Sequence, residues 1–293
     1  MGEYDLRYAH FDGSSWQTET VDNAPYVGVF TSLALDSNEY PHIGHYDGAD
    51  YDLEYAFWDG AAWNYETIEA TSDYGAEGLS LALDSNDYPC FACYDSDNGN
   101  LGYVSWDGSQ WNVETVDSDF NVGYYPSLEL DSLDRPNISY VEGNTGIPRF
   151  ARWDGSSWLI DVTDSSVWGG SLTSLELDSS DYAHISYFNG TDMDLKYARW
   201  DGSSWQIDVA DSTEWVGLSA SLALDSDEIP HISHVDINSY LRYATWNGSS
   251  WDTEIVDDSC YTTFPAIALD SLDVPHISYN DWNSGTLKHA WPN

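Results

Sequence analysis

The chain of 293 residues is short of positive charge: eight Lys and Arg stand against 51 Asp and Glu, a formal net charge of −43. A field of that sign repels phosphate backbones, so nucleic acid is excluded as a partner and an anionic membrane surface with it. Long apolar runs are missing as well. None approaches the roughly 20 residues that cross a bilayer as a helix, so no membrane insertion of that kind is expected. Cysteine is scarce, at three residues. Cys90 and Cys93 form a C-x-x-C, but residues three apart in a strand face opposite ways. They read as small buried side chains rather than a redox or zinc pair, and Cys260 has no evident mate, so no disulfide framework is implied. Helical periodicity is absent too, with Pro or Gly interrupting the chain about every ten residues.

What is present is aromatic and acidic. The chain holds 15 Trp and 22 Tyr with a hydrophobic fraction of 42%, which excludes a disordered protein. Of the acids, 37 are Asp and 14 Glu, a bias toward the residue that favours turns over helices. Two readings of the acidity stay open: solubility in a salty or extracellular medium, and binding of a hard cation such as Ca2+ by loop carboxylates. The opening Met1-Gly2-Glu3 has no basic or apolar region and reads as a start placed on part of a longer parent protein, secreted or displayed at the cell surface.

One stretch is written repeatedly: Leu195-Lys196-Tyr197-Ala198-Arg199-Trp200-Asp201-Gly202-Ser203-Ser204-Trp205, with copies at 6–16, 53–63, 101–111, 147–158 and 241–251 and a truncated one at Leu287–Trp291. Each copy reads as a strand, an Asp-Gly or Asn-Gly turn and a second strand. A second signature, Ser221-Leu222-Ala223-Leu224-Asp225, recurs with its aspartate at positions 36, 84, 131, 178, 225 and 270, spaced 48, 47, 47, 47 and 45 residues apart. A third, Pro230-His231-Ile232-Ser233-His234, follows it each time. One unit thus holds four short antiparallel strands A to D, and six such units predict an all-β, six-bladed β-propeller in one domain over residues 1–293. The units run approximately over 6–52, 53–100, 101–146, 147–194, 195–240 and 241–293. Strands A, B and D occur six times and C seven. The ring is therefore expected to close by mixing termini, with A and B from 264–280 sharing a blade with D from 16–21. Leu6–Phe11 is expected to take the contested C position, leaving Leu287–Trp291 as a spare edge for self-association.

The A–B and C–D turns vary little between repeats. The pairs Asp36/His42, Asp178/His184, Asp225/His231 and Asp270/His276 flank one hairpin and are expected to bond within it rather than to form a metal ring. The opposite loops vary. The D–A connections carry Tyr26, Tyr74, Phe120, Trp168, Trp215 and Tyr261, and the B–C loops carry Asp47, Asp50, Asp52, Asp95, Asp97 and Trp282. Aromatic faces beside carboxylates suit sugar rings, so Tyr26, Asp47, Trp168, Trp215, Tyr261 and Trp282 are candidate ligand residues. For calcium the candidates are Asp47, Asp50, Asp52, Asp95 and Asp97, although Asp95–Asn100 fails EF-hand spacing, with Gly99 fifth and Trp106 twelfth.

The strand ending in Tyr, the loop, and the strand leading to Trp-Asp-Gly-x-x-Trp resemble bacterial and archaeal secreted propellers and, more distantly, tandem-repeat propellers of the fungal fucose-lectin kind. That resemblance implies a ring of blades and glycan binding. It also implies an Arg and a Glu as sugar clamp, at positions held here by His231 and Tyr243, or His42 and Tyr55. Similarity to the sialidase Asp-box is partial, since Asp107-Gly108-Ser109-Gln110-Trp111 is one residue short. No constellation breaks the repeat symmetry as catalysis requires. The expectation is a non-catalytic, lectin-like extracellular module that binds glycan through one face and needs no cofactor. The alternative is a structural or protein-interaction propeller that assembles through its spare strand.

Overall fold

A computed structural model describes residues 5–48, 52–68, 74–119, 121–213 and 215–292, with the backbone alone for 74–77. The fold is an all-β, six-bladed β-propeller of 25 strands, with no helix among the described residues. The N-terminal hairpin is β1 (Leu6–Phe11) and β2 (Trp16–Asp22). Five complete blades follow, each a four-stranded antiparallel sheet in chain order. The first is β3 (Val27–Leu35), β4 (Pro41–Asp47), β5 (Leu53–Trp58) and β6 (Trp63–Thr67). The second is β7 (Tyr74–Leu83), β8 (Pro89–Asp95), β9 (Asn100–Trp106) and β10 (Trp111–Asp117). The third is β11 (Val122–Leu130), β12 (Pro136–Glu142), β13 (Pro148–Trp153) and β14 (Trp158–Val162). The fourth is β15 (Ser171–Leu177), β16 (Ala183–Asn189), β17 (Asp194–Trp200) and β18 (Trp205–Asp211). The fifth is β19 (Val216–Leu224), β20 (Pro230–Asp236), β21 (Leu241–Trp246) and β22 (Trp251–Asp257). The last sheet has three strands, β23 (Ala266–Leu269), β24 (Pro275–Asp281) and β25 (Thr286–Ala290). The chain divides into two compact units, Met1–Leu130 and Asp131–Asn293.

The turns explain the hairpins. In the C–D turn Asp201 Oδ1 accepts the Ser203 and Ser204 N–H groups, both at 2.9 Å, while Gly202 takes φ 92°. Asp12, Asp107 and Asp154 repeat the arrangement. An Asx turn with glycine at the left-handed position is what an Asp-Gly pair supplies at least strain. The two tryptophans of the motif then face each other across the hairpin, with centroids 5.5 Å apart for Trp200 and Trp205 and 5.9 Å for Trp246 and Trp251. In the fourth and fifth blades strand B is buried end to end, the pattern of a sheet covered on both faces. Cys90, Cys93 and Cys260 are all buried and form no disulfide among the described residues.

Neighbouring blades are fastened by serines from the second signature. Within the first unit Ser32 Oγ accepts the Leu81 N–H and Ser80 Oγ the Leu128 N–H, each at 2.9 Å. Within the second, Ser174 accepts from Leu222 at 3.0 Å and Ser221 from Ile267 at 3.2 Å. The scarce cations have a second fastening role. Five of the eight, Arg7, Arg149, Lys196, Arg242 and Lys288, share one position of strand C. Arg242 Nε lies 3.1 Å from Asp211 and Nη1 3.7 Å from Asp236; Lys288 Nζ lies 3.3 Å from both Asp257 and Asp281.

Strand pairing corrects the expectation at the termini. β25, not β1, pairs with β24, from Ile277↔Ala290 to Asp281↔Thr286, and β1 pairs with β2 as a sheet of its own. Among the described residues no sheet combines strands from the two ends. The physical reason is loop closure. A four-residue turn joins β24 to β25, held by the Gly285 N–H on the Asp281 carbonyl at 2.7 Å and by Ser284 Oγ on the Asp281 carboxylate at 2.7 Å. A local partner costs less chain entropy than a distant one. One consequence is a gap. In complete blades the first Trp of strand D packs on the aromatic residue of strand C one blade earlier, as Trp111 does on Tyr55 at 5.9 Å, Trp205 on Phe150 at 5.3 Å and Trp251 on Tyr197 at 5.1 Å. Beside Tyr243, the next in that series, lies instead a cleft of about 410 Å³ lined by Ile277, Ala290 and Trp291.

Candidate functional site

A cleft of about 570 Å³ lies in the second unit, between the β15–β18 and β19–β22 sheets. Its walls come from the near-invariant side of the repeat. β17 contributes Arg199 and Trp200, β18 Asp208, β21 Trp246, β22 Trp251 and the A–B turn Glu228. Arg199 sits where strand C has run out of the buried core, and its side chain is exposed. Among the described residues its guanidinium makes no ion pair. The equivalent Arg152 is spent, lying 5.2 Å over the Trp200 ring and 3.4 Å from Asp161. Hydrogen bonds from the Ser203 hydroxyl and the Ser204 and Ser203 N–H groups pull the Asp201 carboxyl down to about 2, so it is ionised at any ordinary pH.

The wall of the cleft also carries a largely buried chain of three groups, Asp178, His184 and Tyr197. His184 Nε2 faces Asp178 at 3.4 Å, and its Nδ1 meets the Tyr197 hydroxyl. The carboxylate places the proton on Nε2, leaving Nδ1 to accept from tyrosine. Burial holds the His184 imidazole below its ordinary value against the pull of Asp178, and pushes the Tyr197 phenol up. The same chain recurs as Asp225–His231–Tyr243, with 3.4 and 2.5 Å, and as Asp36–His42–Tyr55, where Asp36 is 3.8 Å from the ring. The expected bonding within the hairpin is present at Asp178/His184 and Asp225/His231, while Asp36/His42 and Asp270/His276 lie farther apart at 3.8 and 3.6 Å. In the first three of these hairpins along the chain strand C supplies a tyrosine as third member, and in the last His289 takes its place, which spacing along the hairpin did not reveal. Because His231 is bonded to Tyr243 and His42 to Tyr55, the positions matching the fucose-lectin clamp satisfy one another.

The residues singled out from the variable loops sit elsewhere. Tyr26, Trp168, Trp215, Tyr261 and Trp282 are all about half exposed or more, and neither cleft is lined by any of them. Backbone bonds tie each connection to the loop beside it. The Tyr26 carbonyl accepts from Gly48 at 2.8 Å, that of Trp215 from Ile237 at 2.9 Å and that of Tyr261 from Trp282 at 3.0 Å. Tyr26 and Trp215 take φ 70° and 50°, an uncommon conformation for bulky residues that turns the rings outward. Tyr261 and Trp282 are brought together, and the Trp282 indole donates to Thr263 at 2.9 Å. Asp47 ends β4, with its N–H on the Asp52 carbonyl at 3.1 Å. The Asp95 carboxylate accepts from Asn98 N–H and Nδ2 at 3.2 and 2.8 Å, and Asp97 is exposed. Asp50, Phe120 and the Tyr74 side chain lie outside the described residues. Among the described residues no three His, Cys, Asp or Glu converge as metal ligands.

No family model matches the chain, and no curated protein is similar to it in sequence. Solved structures are. The Aleuria aurantia lectin bound to Fucα1-6GlcNAc superposes with a TM-score of 0.65 at 16% identity, covering 91% of each chain. The fold is shared with lectins. The SapL1 lectin bound to α-methyl fucoside gives 0.58 at 14% identity, covering 92% of this chain and 94% of that one. An ulvan lyase of polysaccharide lyase family 25, bound to -[GlcA(1-4)Rha3S]-, gives 0.64 at 13% identity, covering 90% and 81%. At such identities the likeness is one of fold, and on that level the resemblance to fucose-lectin propellers holds.

Proposed function

We propose that this chain is a non-catalytic glycan-binding module of an extracellular protein, and that the cleft between the fourth and fifth blades holds a neutral sugar. The observation that carries the reading is the lining: Trp200, Trp246 and Trp251 stand in a cleft whose polar groups include the Arg199 guanidinium, several carboxylates, His184 and two tyrosines. Sugar rings stack their C–H faces on indole, carboxylates accept from vicinal hydroxyls, and Arg199 donates to a ring or glycosidic oxygen. The charge balance argues for a neutral ligand. A sulfate or uronate placed about 5 Å from each carboxylate meets roughly 3 kcal/mol of repulsion per pair at an effective dielectric near 20, and Arg199 offsets one such pair. Lectins and a polysaccharide lyase share the fold, which supports carbohydrate as the ligand class. The Asp178–His184–Tyr197 chain resembles acid–base machinery, but its recurrence in other blades assigns it to holding the hairpin.

A glycan array of neutral and acidic oligosaccharides tests this directly. Binding to neutral sugars that falls at least tenfold in Trp246→Ala and in Arg199→Ala, with melting temperatures kept, supports the cleft. Loss in Trp215→Ala or Trp168→Ala instead moves the site to the variable face. A blank array discards the glycan reading.

A further inference from the structure

Two neighbouring blade junctions in the second unit carry the same three residue types in different states. Strand C supplies an arginine just before its last Trp, strand D supplies an aspartate, and the next blade supplies the Trp that ends its own strand C. Between the third and fourth blades these are Arg152, Asp161 and Trp200, with Asp161 the cross-strand partner of Phe150. The Arg152 guanidinium lies 5.2 Å over the Trp200 ring and 3.4 Å from the Asp161 carboxylate. A cation therefore sits between an indole face and a carboxylate, where the ring quadrupole and the negative charge attract it together.

Between the fourth and fifth blades the corresponding residues are Arg199, Asp208 and Trp246, and all three line the cleft of about 570 Å³. Asp208 is the cross-strand partner of Tyr197, the position that Asp161 holds one blade earlier. Here the arginine does not take the place over the next ring. Among the described residues Arg199 has neither an ion pair nor an aromatic ring under its guanidinium, and the Asp208 side chain has no hydrogen bond or ion pair. Asp227, on the A–B turn of the fifth blade, lines the same cleft with a side chain equally without a partner among the described residues. We infer that this cleft binds a sugar carrying a protonated amine more tightly than its neutral counterpart, with the ammonium over Trp246 and beside Asp208 as the Arg152 guanidinium is over Trp200 and beside Asp161. The inference rests on the glycan reading of the cleft and adds to it the charge of the sugar that ranks highest. Acidity alone does not carry it, because carboxylates are spread over the whole chain. What carries it is that the chain itself sets a cation in the equivalent place. The electrostatics agree in sign: carboxylates that repel a sulfate or uronate attract an ammonium, while stacking of a sugar ring on indole is indifferent to the charge of its substituent. Arg199 acts in the opposite sense, donating to a neutral sugar but repelling an ammonium and competing for the same place.

Titration calorimetry with glucosamine, galactosamine and mannosamine, each beside its hydroxyl parent and its N-acetyl form, tests the ranking at a pH near 6, where the sugar amine holds its proton. In at least one series the amine should bind about tenfold tighter than both neutral forms, the worth of one exposed cation–π contact and one exposed ion pair. That ratio should shrink as salt rises from about 20 mM to about 500 mM. Asp208→Asn should cut the ratio about threefold, since it removes the ion pair and leaves the ring. Arg199→Ala should raise the ratio even as it weakens the neutral sugars. Asp97→Asn removes an exposed carboxylate that lines neither cleft and should leave the ratio unchanged. Asp208 and Asp97 are both exposed, so these variants keep the melting temperature of the parent. Neutral binding with a ratio near one in every series overturns the inference and leaves the glycan reading standing. A ratio that Asp208→Asn does not move, or that Asp97→Asn lowers as far, also overturns it by assigning the preference to the general field. A panel blank for every sugar discards the inference and the glycan reading together.

Discussion

Glu176 sits on β15 at a position where four other repeats hold alanine: Ala34, Ala82, Ala223 and Ala268. It is paired across the ladder with His184 and is partly buried. Burial alone pushes its carboxyl up to about 7, from an ordinary 4.5. The folded state therefore holds a proton that the unfolded chain releases between those two values. Stability falls as pH rises through that window and stays lowered above it. At 1.36 kcal/mol per pH unit the penalty amounts to about 3 kcal/mol at and above pH 7. Glu176→Gln removes the ionisable group while keeping the shape. It should stabilise the protein by about 2–3 kcal/mol at pH 8 and have little effect at pH 4.5, where the carboxyl is neutral in the folded state and only about half ionised in the unfolded one. Urea unfolding followed by tryptophan fluorescence at several pH values reads this as a midpoint shift that grows with pH. Equal shifts at pH 4.5 and pH 8 would refute the reasoning, because a change in packing caused by the substitution does not titrate.

Two glycines separate conformational cost from collision. Gly217→Ala sets a Cβ 2.7 Å from the Leu195 Cα at φ 93°, and should cost about 3 kcal/mol or more. Gly13→Ala, at φ 91° with nothing within 4 Å, should cost only about 1 kcal/mol; matching losses in urea midpoints would show that the close approach carries no energy. Tyr197→Phe removes the donor to buried His184 Nδ1 and should cost about 1–3 kcal/mol; a variant as stable as the parent would mean water or nothing fills that role. The depressed His42 and His184 imidazoles bind protons more readily in the unfolded chain. Their contribution is intact above the ordinary histidine value near 6.5 and is lost as pH falls below it. Replacing either with Phe should flatten stability over pH 5–7, and an unchanged slope would reject that linkage. In a double-mutant cycle, Ser226→Ala and Asp273→Asn should each cost up to about 1 kcal/mol and together less than their sum; strict additivity would show that the two residues do not interact.

The hairpins, the strand order within each blade and the number of repeats were legible from residue spacing, because each depends on neighbours a few positions away. Alternation with period two marks the strands, and Asp-Gly marks the turn whose left-handed residue only glycine adopts cheaply. Position 33 reads the same as positions 81, 128, 175 and 222, yet the first is exposed and the others buried. Nearly identical sequences cannot encode that difference locally; what lies against them decides it. The same holds for Ser37 and Asp87, 50 residues apart, and for Arg152, spent on Trp200 while Arg199 stands free beside a cleft. The competition between β1 and β25 was visible as a strand too many, but its outcome rested on loop-closure entropy, which favours the partner four residues away. The repeat therefore determined the blade. Only packing decided which copy of each residue is a fastener, which lines a cleft and which is left facing solvent.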